Sequence, residues 1–401
     1  MSETGAPVQA GRRSFFADLS SQGAIQGIIV SIVGYASSVA ILIKGLAAVG
    51  ASEPEIASAL LFVGLTKGIA SIVLSLRSRM PVSVAWTTPG MALLATTGAV
   101  AGGFPAAVGA FIVVGALIVV TAFWEPLARL IAAIPKSLAN AMLAGVLLKL
   151  CLAPFVAIKT LPLTALAILG VWLVMMRFAR LWAVPAAVAV ALGAILMQGG
   201  AANIGGFRLP SAIFVAPTFT LEALFGLALP LFVVTMASQN ITGLAVLSTF
   251  GFRHSMREGL FVTGGLSAVS AVFGAPTVNY AAITAALCAG TDAHPDPARR
   301  YVSAVFSGIG YILCALLAAI AAALVLHASR ILIEAAAGLA LIAAFGGAIK
   351  AATEDEAERL PALLTFFVTA SGLTLFGIGG AFWGLLLGWS VRGLFRLEFK
   401  R

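Results

Sequence analysis

Four polar clusters interrupt otherwise apolar runs of the chain: Tyr35 with Ser37 and Ser38, Trp86 with Thr87 and Thr88, the trio Ser238-Gln239-Asn240, and Asn279 with Tyr280. Each presents hydroxyl or amide donors, and three of them carry an aromatic ring beside those donors. Such groups hold a ligand; they do not perform covalent chemistry. No Ser-His-Asp, Cys-His or metal-binding constellation accompanies them, so an enzyme is not expected. Cys151, Cys288 and Cys314 fit neither a disulfide framework nor a metal site, and His254, His294 and His327 are scattered. No metal or other cofactor is expected. The structural alternative for each cluster is hydrogen-bonded glue between helices, with the aromatic rings packed or at a membrane interface.

The elements that must position these clusters are membrane spans. The chain has 401 residues, of which 61% are hydrophobic and 10% charged, a balance that excludes an ordinary soluble domain. Apolar stretches of about twenty residues recur from end to end, the length needed for a helix to cross a bilayer. Alternating ten-residue strands are not seen, which excludes an outer-membrane barrel. Fourteen segments are expected, near 22–44, 54–76, 86–98, 104–123, 126–150, 160–176, 181–198, 222–240, 256–273, 279–290, 301–326, 330–349, 360–372 and 375–391. The whole chain, 1–401, reads as one membrane unit. Its first apolar run is too long for a signal h-region, so no cleavable signal peptide is expected.

The formal charge of +9 is explained by topology rather than by nucleic acid. With the N-terminus placed in the cytoplasm, the inner loops and ends gather most of the Lys and Arg, including Arg12, Arg13, Arg77, Arg79, Arg299, Arg300, Arg392 and Arg396. The outer side keeps Lys44, Lys149, Lys159, Arg208 and Arg330. That asymmetry follows the positive-inside rule and places both termini in the cytoplasm. Lys67 is left inside the second span, the foremost internal charge; Glu125, Glu222 and Glu334 fall near span ends.

Two of the expected segments, 86–98 and 279–290, are too short to cross. Thirteen helical residues reach about 20 Å against a core of about 30 Å. Each follows a proline-led polar stretch, PVSVAWTTPG (81–90) and PTVNYAAITA (276–285). Thr88 with Pro89 is expected to start the first half-helix and Asn279 to cap the second. The two N-terminal ends would then face one another near mid-membrane, bringing free N–H groups and positive dipole ends without a buried Lys or Arg. Around them, FVGLTKGIASIV (62–73) matches FVTGGLSAVSAV (261–272), and GYASSVA (34–40) matches TMASQNI (235–241). The constant offset points to a duplication. Seven spans per half would insert the second half upside down, as in many secondary transporters.

At PVSVAWTTPG, MASQNITGLAVL and GAPTVNYAAITAALCAGTDAHPDPARR the sequence resembles the bacterial benzoate/proton symporter family. The resemblance runs through nearly the whole chain. It implies an all-α polytopic inner-membrane protein with the seven-plus-seven inverted repeat of nucleobase permeases and sulfate-type anion transporters. It also implies a core domain of 22–123 and 222–326 and a gate domain of 126–198 and 330–391, with short broken helices at segments three and ten. Substrate would sit between those two, with Tyr35, Ser37, Ser38, Trp86, Thr87, Thr88, Ser238, Gln239, Asn240, Asn279 and Tyr280 around it. The expected function is uptake of benzoate or a close aromatic carboxylate with protons. Its partners are that anion, protons and the lipid bilayer; a homo-oligomer is allowed but not fixed. Nucleobase permeases of this fold carry acids at the equivalent places, and their absence here favours an anion. A nucleobase or inorganic-anion transporter of the same fold and an anion channel are the alternatives.

Overall fold

Apolar sequence in a bilayer can satisfy its own backbone only by coiling, and the chain is helical almost throughout. The computed structural model describes residues 14–126, 129, 135–197, 209–281, 283–326, 330–375 and 378–398. Arg12, Arg13, Arg208 and His327, named above, lie outside them, as do residues 127–128 and 130–134 of the fifth expected segment.

The first half runs through α1 (Ser21–Ala36), α2 (Val39–Ala48), α3 (Glu53–Ser78), strand β1 (Val84–Trp86), α4 (Thr88–Thr97), α5 (Gly103–Phe123), α6 (Lys136–Thr160), α7 (Pro162–Phe178) and α8 (Ala183–Met197). The second runs through α9 (Leu221–Thr249), α10 (Met256–Ser270), strand β2 (Val278–Tyr280), α11 (Ile283–Ala289), α12 (Tyr301–Leu316), α13 (Ala318–Leu326), α14 (Arg330–Thr353), α15 (Arg359–Ala370) and α16 (Gly380–Glu398). Among the described residues six helical stretches are long and apolar enough to cross a membrane, α1 with α2 counting as one.

Local sequence explains the starts and breaks. Ser52 and Glu55 form a capping box at the start of α3, and Ser255 accepts the Glu258 N–H at the start of α10. Between α1 and α2 the hydroxyls of Ser37 and Ser38 both donate to the Gly34 carbonyl, at 3.2 and 2.7 Å, competing with the helix ladder at the break. At the fifth expected segment, 126–150, residues 126 and 129 are helical, and α6 starts at Lys136 directly after Pro135, which has no N–H to donate. The eighth extends to Thr249 rather than 240: the polar trio does not end the helix but sits in a π-helical stretch, Met236–Asn240.

Packing falls into two groups. In one, α12 lies against α1 and α3 while α10 lies against α5. In the other, α6 lies against α14 and α15, and α16 against α15. Two crossings of the first group are reciprocal glycine contacts. A Cβ on Gly68 of α3 would stand 2.6 Å from the Gly308 carbonyl oxygen of α12, and one on Gly308 would stand 2.6 Å from that of Gly68. Gly115 of α5 and Gly264 of α10 meet in the same way at 2.9 Å. Small residues bring helix backbones together where lipid removes the hydrophobic drive for association.

Candidate functional site

The two interrupted spans meet. β1 pairs antiparallel with β2 in the register Val84↔Tyr280, Ala85↔Asn279, Trp86↔Val278. The ladder continues past both ends: Thr87 N–H donates to Thr277 O at 3.3 Å, and Ala281 N–H to Ser83 O at 3.0 Å. Ser83 and Thr284 hydroxyls join at 2.8 Å. Each strand also hangs from the helix before it. Ser71 of α3 accepts the Val84 N–H and Ser267 of α10 accepts the Val278 N–H, both at 2.9 Å. The serine doing the work of Ser71 is thus Ser267, not Ser270 as the sequence match aligned it; Ser270 is spent on the Ser267 carbonyl.

The helix starts differ from expectation. Thr87, not Thr88, caps α4, accepting the Gly90 N–H at 3.2 Å. Asn279 caps nothing. It lies in the middle of β2, its amide donates to the Tyr280 carbonyl at 2.7 Å, and its buried Oδ1 has no partner among the described residues. An antiparallel ladder sends its two strands out at opposite ends. Thr87 stands opposite Thr277 and Ala281 opposite Ser83, so the two exits lie about 13 Å apart along the ladder. The ends of α4 and α11 therefore lie at opposite ends of the strand pair instead of meeting head-on. The donor supply there is thin: Pro89 has no N–H and the Gly90 N–H is taken, which leaves the Thr88 N–H and hydroxyl at the α4 end.

The other two clusters lie close by. In the π-helical stretch, the buried Asn240 accepts the Tyr280 N–H at 3.0 Å and so fixes β2. Its neighbours Ser238 and Gln239 are half-buried. Ser238 bonds back to the Val234 carbonyl at 2.6 Å, whereas Gln239 makes no hydrogen bond among the described residues. π-helical insertions often mark functional positions in helices. On α1, Tyr35 packs edge-on against Trp86 at 5.6 Å, and its buried hydroxyl has no partner among the described residues.

The two aromatic residues of the strands are less free than expected. Trp86 is 1% exposed and Tyr280 fully buried. The Tyr280 hydroxyl reaches His254 Nδ1 at 2.6 Å and the Ser255 carbonyl at 3.2 Å. Burial pushes His254 below its ordinary 6.5, against smaller upward pulls from Glu258 and the Ser255 backbone. Behind Trp86 sits Lys67 of α3, its Nζ 3.5 Å from the Trp86 ring centroid and 3.4 Å from that of Tyr311.

Sequence reasoning did not find Ser71, Ser267, His254 or Tyr311. The two serines lie on spans rich in small residues, where a polar side chain eleven to thirteen residues before a strand is the only signal. A separate, partly open cleft lies at the far end of α4, lined by Thr96, Thr97, Lys149, Thr369 and Thr374 among others. Lys149 is exposed there although it lies midway along α6. No Asp or Glu occurs on α1, α2, β1, α4, the π-helical stretch, β2 or α11. A site built from these elements offers donors, aromatic faces and no negative charge.

The chain is similar to known membrane transport proteins. A family model described as benzoate membrane transport protein matches residues 17–394. The inner membrane protein YdcO of Escherichia coli (strain K12) is 38% identical over 365 residues, covering 91% of this chain and 93% of that protein. A benzoate membrane transport protein of Acinetobacter baylyi is 30% identical over 380 residues, covering 92% and 94%. Among solved structures, the transmembrane domain of a cyanobacterium bicarbonate transporter, BicA, superposes with a TM-score of 0.59 at 15% identity, covering 97% of this chain and 98% of that one. SLC26A9 superposes with a TM-score of 0.58 at 11% identity, covering 96% and 67%. The fold is of that type.

Proposed function

Because the chain belongs to the benzoate membrane transport protein family, we propose that it imports benzoate or a close aromatic carboxylate together with protons, by alternating access. It is a membrane transporter and not an enzyme. The observation that carries the substrate assignment is the junction of the two broken spans beside the π-helical stretch, built without a carboxylate. The carboxylate takes the Thr88 N–H and hydroxyl and the Gln239 amide, with Ser37, Ser38 and Ser238 nearby. The ring rests on Tyr35, with Trp86 behind it. Thr87, Asn240, Asn279 and Tyr280 shape this space from within the protein.

The full topology is part of the same reading. Fourteen segments result when each strand with its helix, and each of the pairs α1–α2 and α12–α13, counts as one. Seven come before residue 198 and seven after residue 220, which supports a seven-plus-seven inverted repeat. The matched roles of Ser71 and Ser267 and the two glycine crossings support it further. The two packing groups support a core of 22–123 and 222–326 and a gate of 126–198 and 330–391. Lys44 of α2 and Glu334 of α14 form an ion pair at 3.0 Å across that division, a contact that motion of one group against the other would part. The protein is assigned to the bacterial inner membrane, multi-pass, with both termini cytoplasmic.

Coupling to a cation has a physical reason. Moving one negative charge into a negative-inside cell costs about 2.3 kcal/mol per 100 mV, and an accompanying proton cancels that work. Purified protein in liposomes tests the reading with radiolabelled benzoate. Uptake should saturate, rise with an inward proton gradient, and show counterflow; competition by unlabelled uracil, xanthine or sulfate should be weak. A steady conductance without counterflow would make it a channel, and a flat response to the gradient would remove the symport.

A further inference from the structure

An ammonium far from water needs an anion, and Lys67 has none. It is 1% exposed, and among the described residues it makes no ion pair and no hydrogen bond. It stands on α3, a helix of 26 residues, about 21 Å from one end and about 17 Å from the other, too deep to snorkel to either surface. What surrounds it is aromatic: Trp86 at 3.5 Å, Tyr311 at 3.4 Å and Tyr35 at 6.0 Å from Nζ to the ring centroid. Ring faces attract a cation but do not neutralise it. The titratable groups around it are Tyr35 of α1 and Tyr311 and Cys314 of α12; none is a carboxylate. β1 contributes only Trp86. α10 and α2 also pack on α3; Glu258 of α10 is engaged by Arg77 at the end of α3, and Lys44 of α2 by Glu334.

The position is also where the two halves differ. Ser71 and Ser267 play the same part for the two strands, and Lys67 lies four residues before Ser71. Four residues before Ser267 is Thr263, whose hydroxyl is satisfied by the Gly259 carbonyl at 2.8 Å. One half carries an amine beside the candidate site and the other an inert hydroxyl. The thin donor supply at the α4 end leaves this amine as the one full positive charge available beside Tyr35 and Trp86 among the described residues.

We propose that Lys67 is the proton carrier of the transport cycle, an assignment that rests on the carboxylate-symport reading above. In the empty carrier its amine is neutral, because nothing compensates an ammonium there. When the carboxylate settles at Thr88 and Gln239, the Nζ lone pair takes a proton from the water on that side, a water O–H bond breaking as the N–H bond forms, and the ammonium attracts the anion electrostatically past the Trp86 ring. On the opposite side the carboxylate leaves, that N–H bond breaks, and the proton goes to water. One anion and one proton cross, and no net charge moves. Binding is reciprocal: the proton strengthens anion binding by the factor by which the anion strengthens proton binding.

The purified full chain tests this directly. Benzoate stays ionised from about pH 6 to about pH 9, so any change in its affinity reports the protein. In the alkaline part of that range the wild-type Kd should rise about tenfold per pH unit, and binding in weak buffer should take up about one proton per benzoate. Lys67→Met should bind weakly, with a flat profile and no proton uptake. Lys67→Arg keeps a fixed charge and should retain binding and counterflow while losing accumulation driven by a proton gradient. A flat wild-type profile overturns the proposal without any variant, so a misfolded variant does not shield it. If the wild type responds to the gradient and Lys67→Arg or Lys67→Met responds to within twofold of it, Lys67 is not the carrier and symport stands. If the wild type transports saturably but ignores the gradient, symport itself fails, and this proposal with it.

Discussion

Gln239 and Asn240 are neighbours of similar chemistry, and they should fail in different ways. Asn240 is fully buried, and its Oδ1 accepts the Tyr280 N–H at 3.0 Å. Asn240→Ala leaves that N–H without a partner in a place closed to water, which costs about 1–3 kcal/mol of stability. Gln239 is half-buried and bonds to nothing described, so Gln239→Ala should change stability by less than about 0.5 kcal/mol. Its loss falls on the ligand instead. A hydrogen bond to a charged acceptor contributes about 1.5–3 kcal/mol, so benzoate Kd should rise roughly 10- to 150-fold. Thermal unfolding of detergent-purified protein reads the first quantity and isothermal titration with benzoate the second. Asn240→Ala should lower the unfolding midpoint clearly while Gln239→Ala leaves it in place. If Gln239→Ala destabilises as much as Asn240→Ala and binds benzoate with wild-type affinity, the amide does not face the ligand and the placement of the carboxylate is wrong.

Three further outcomes are expected. His254 has a folded value below its ordinary 6.5, so the unfolded chain binds more protons between the two. The associated stability is complete above about pH 6.5 and is lost as pH falls toward the lower folded value, so the unfolding midpoint should drop more between about pH 7.5 and 5.5 in the wild type than in His254→Asn; equal drops would dismiss the linkage. Gly308→Ala forces a methyl to within 2.6 Å of the Gly68 carbonyl, and should destabilise by about 1–3 kcal/mol; an unchanged midpoint would mean the two helices do not cross there. Lys149→Cys, in a background lacking the three native cysteines, should react with an impermeant thiol reagent added from the side opposite the basic loops. A cysteine replacing the buried Ala141 of the same helix should not; equal labelling of both, or of neither, would argue against a water-filled cleft at Lys149.

Much of this architecture was legible because it rests on periodicity and length. Long apolar runs gave the spans, Pro89 and the short 86–98 run marked an interrupted helix, and the polar trio Ser238-Gln239-Asn240 marked the element facing it. What escaped was set by tertiary contact. Three-residue strands have no period, so the pairing of Val84–Trp86 with Val278–Tyr280 left no trace in the sequence, and Asn279 passed for a cap. A choice between Thr87 and Thr88 as cap turns on one backbone dihedral that composition does not encode. The trio looked like the end of a span because polar residues usually are; only the intact coil on both sides shows it as an insertion. Lys67 was visible as a charge at depth, but its aromatic cage is assembled from α1, β1 and α12, segments as far as 276 residues apart.

The stitched junction of β1 and β2 restricts how such a carrier can work. Pulling the two half-spans apart to release cargo would strip Thr87, Ala281 and their neighbours of amide partners in a region where no solvent can replace them, at several kcal/mol for each orphaned group. If transport runs by the alternating access proposed above, the cradle travels intact, as a sealed cassette, and access changes where its outer wall meets α6, the helix that touches both α4 and the π-helical stretch.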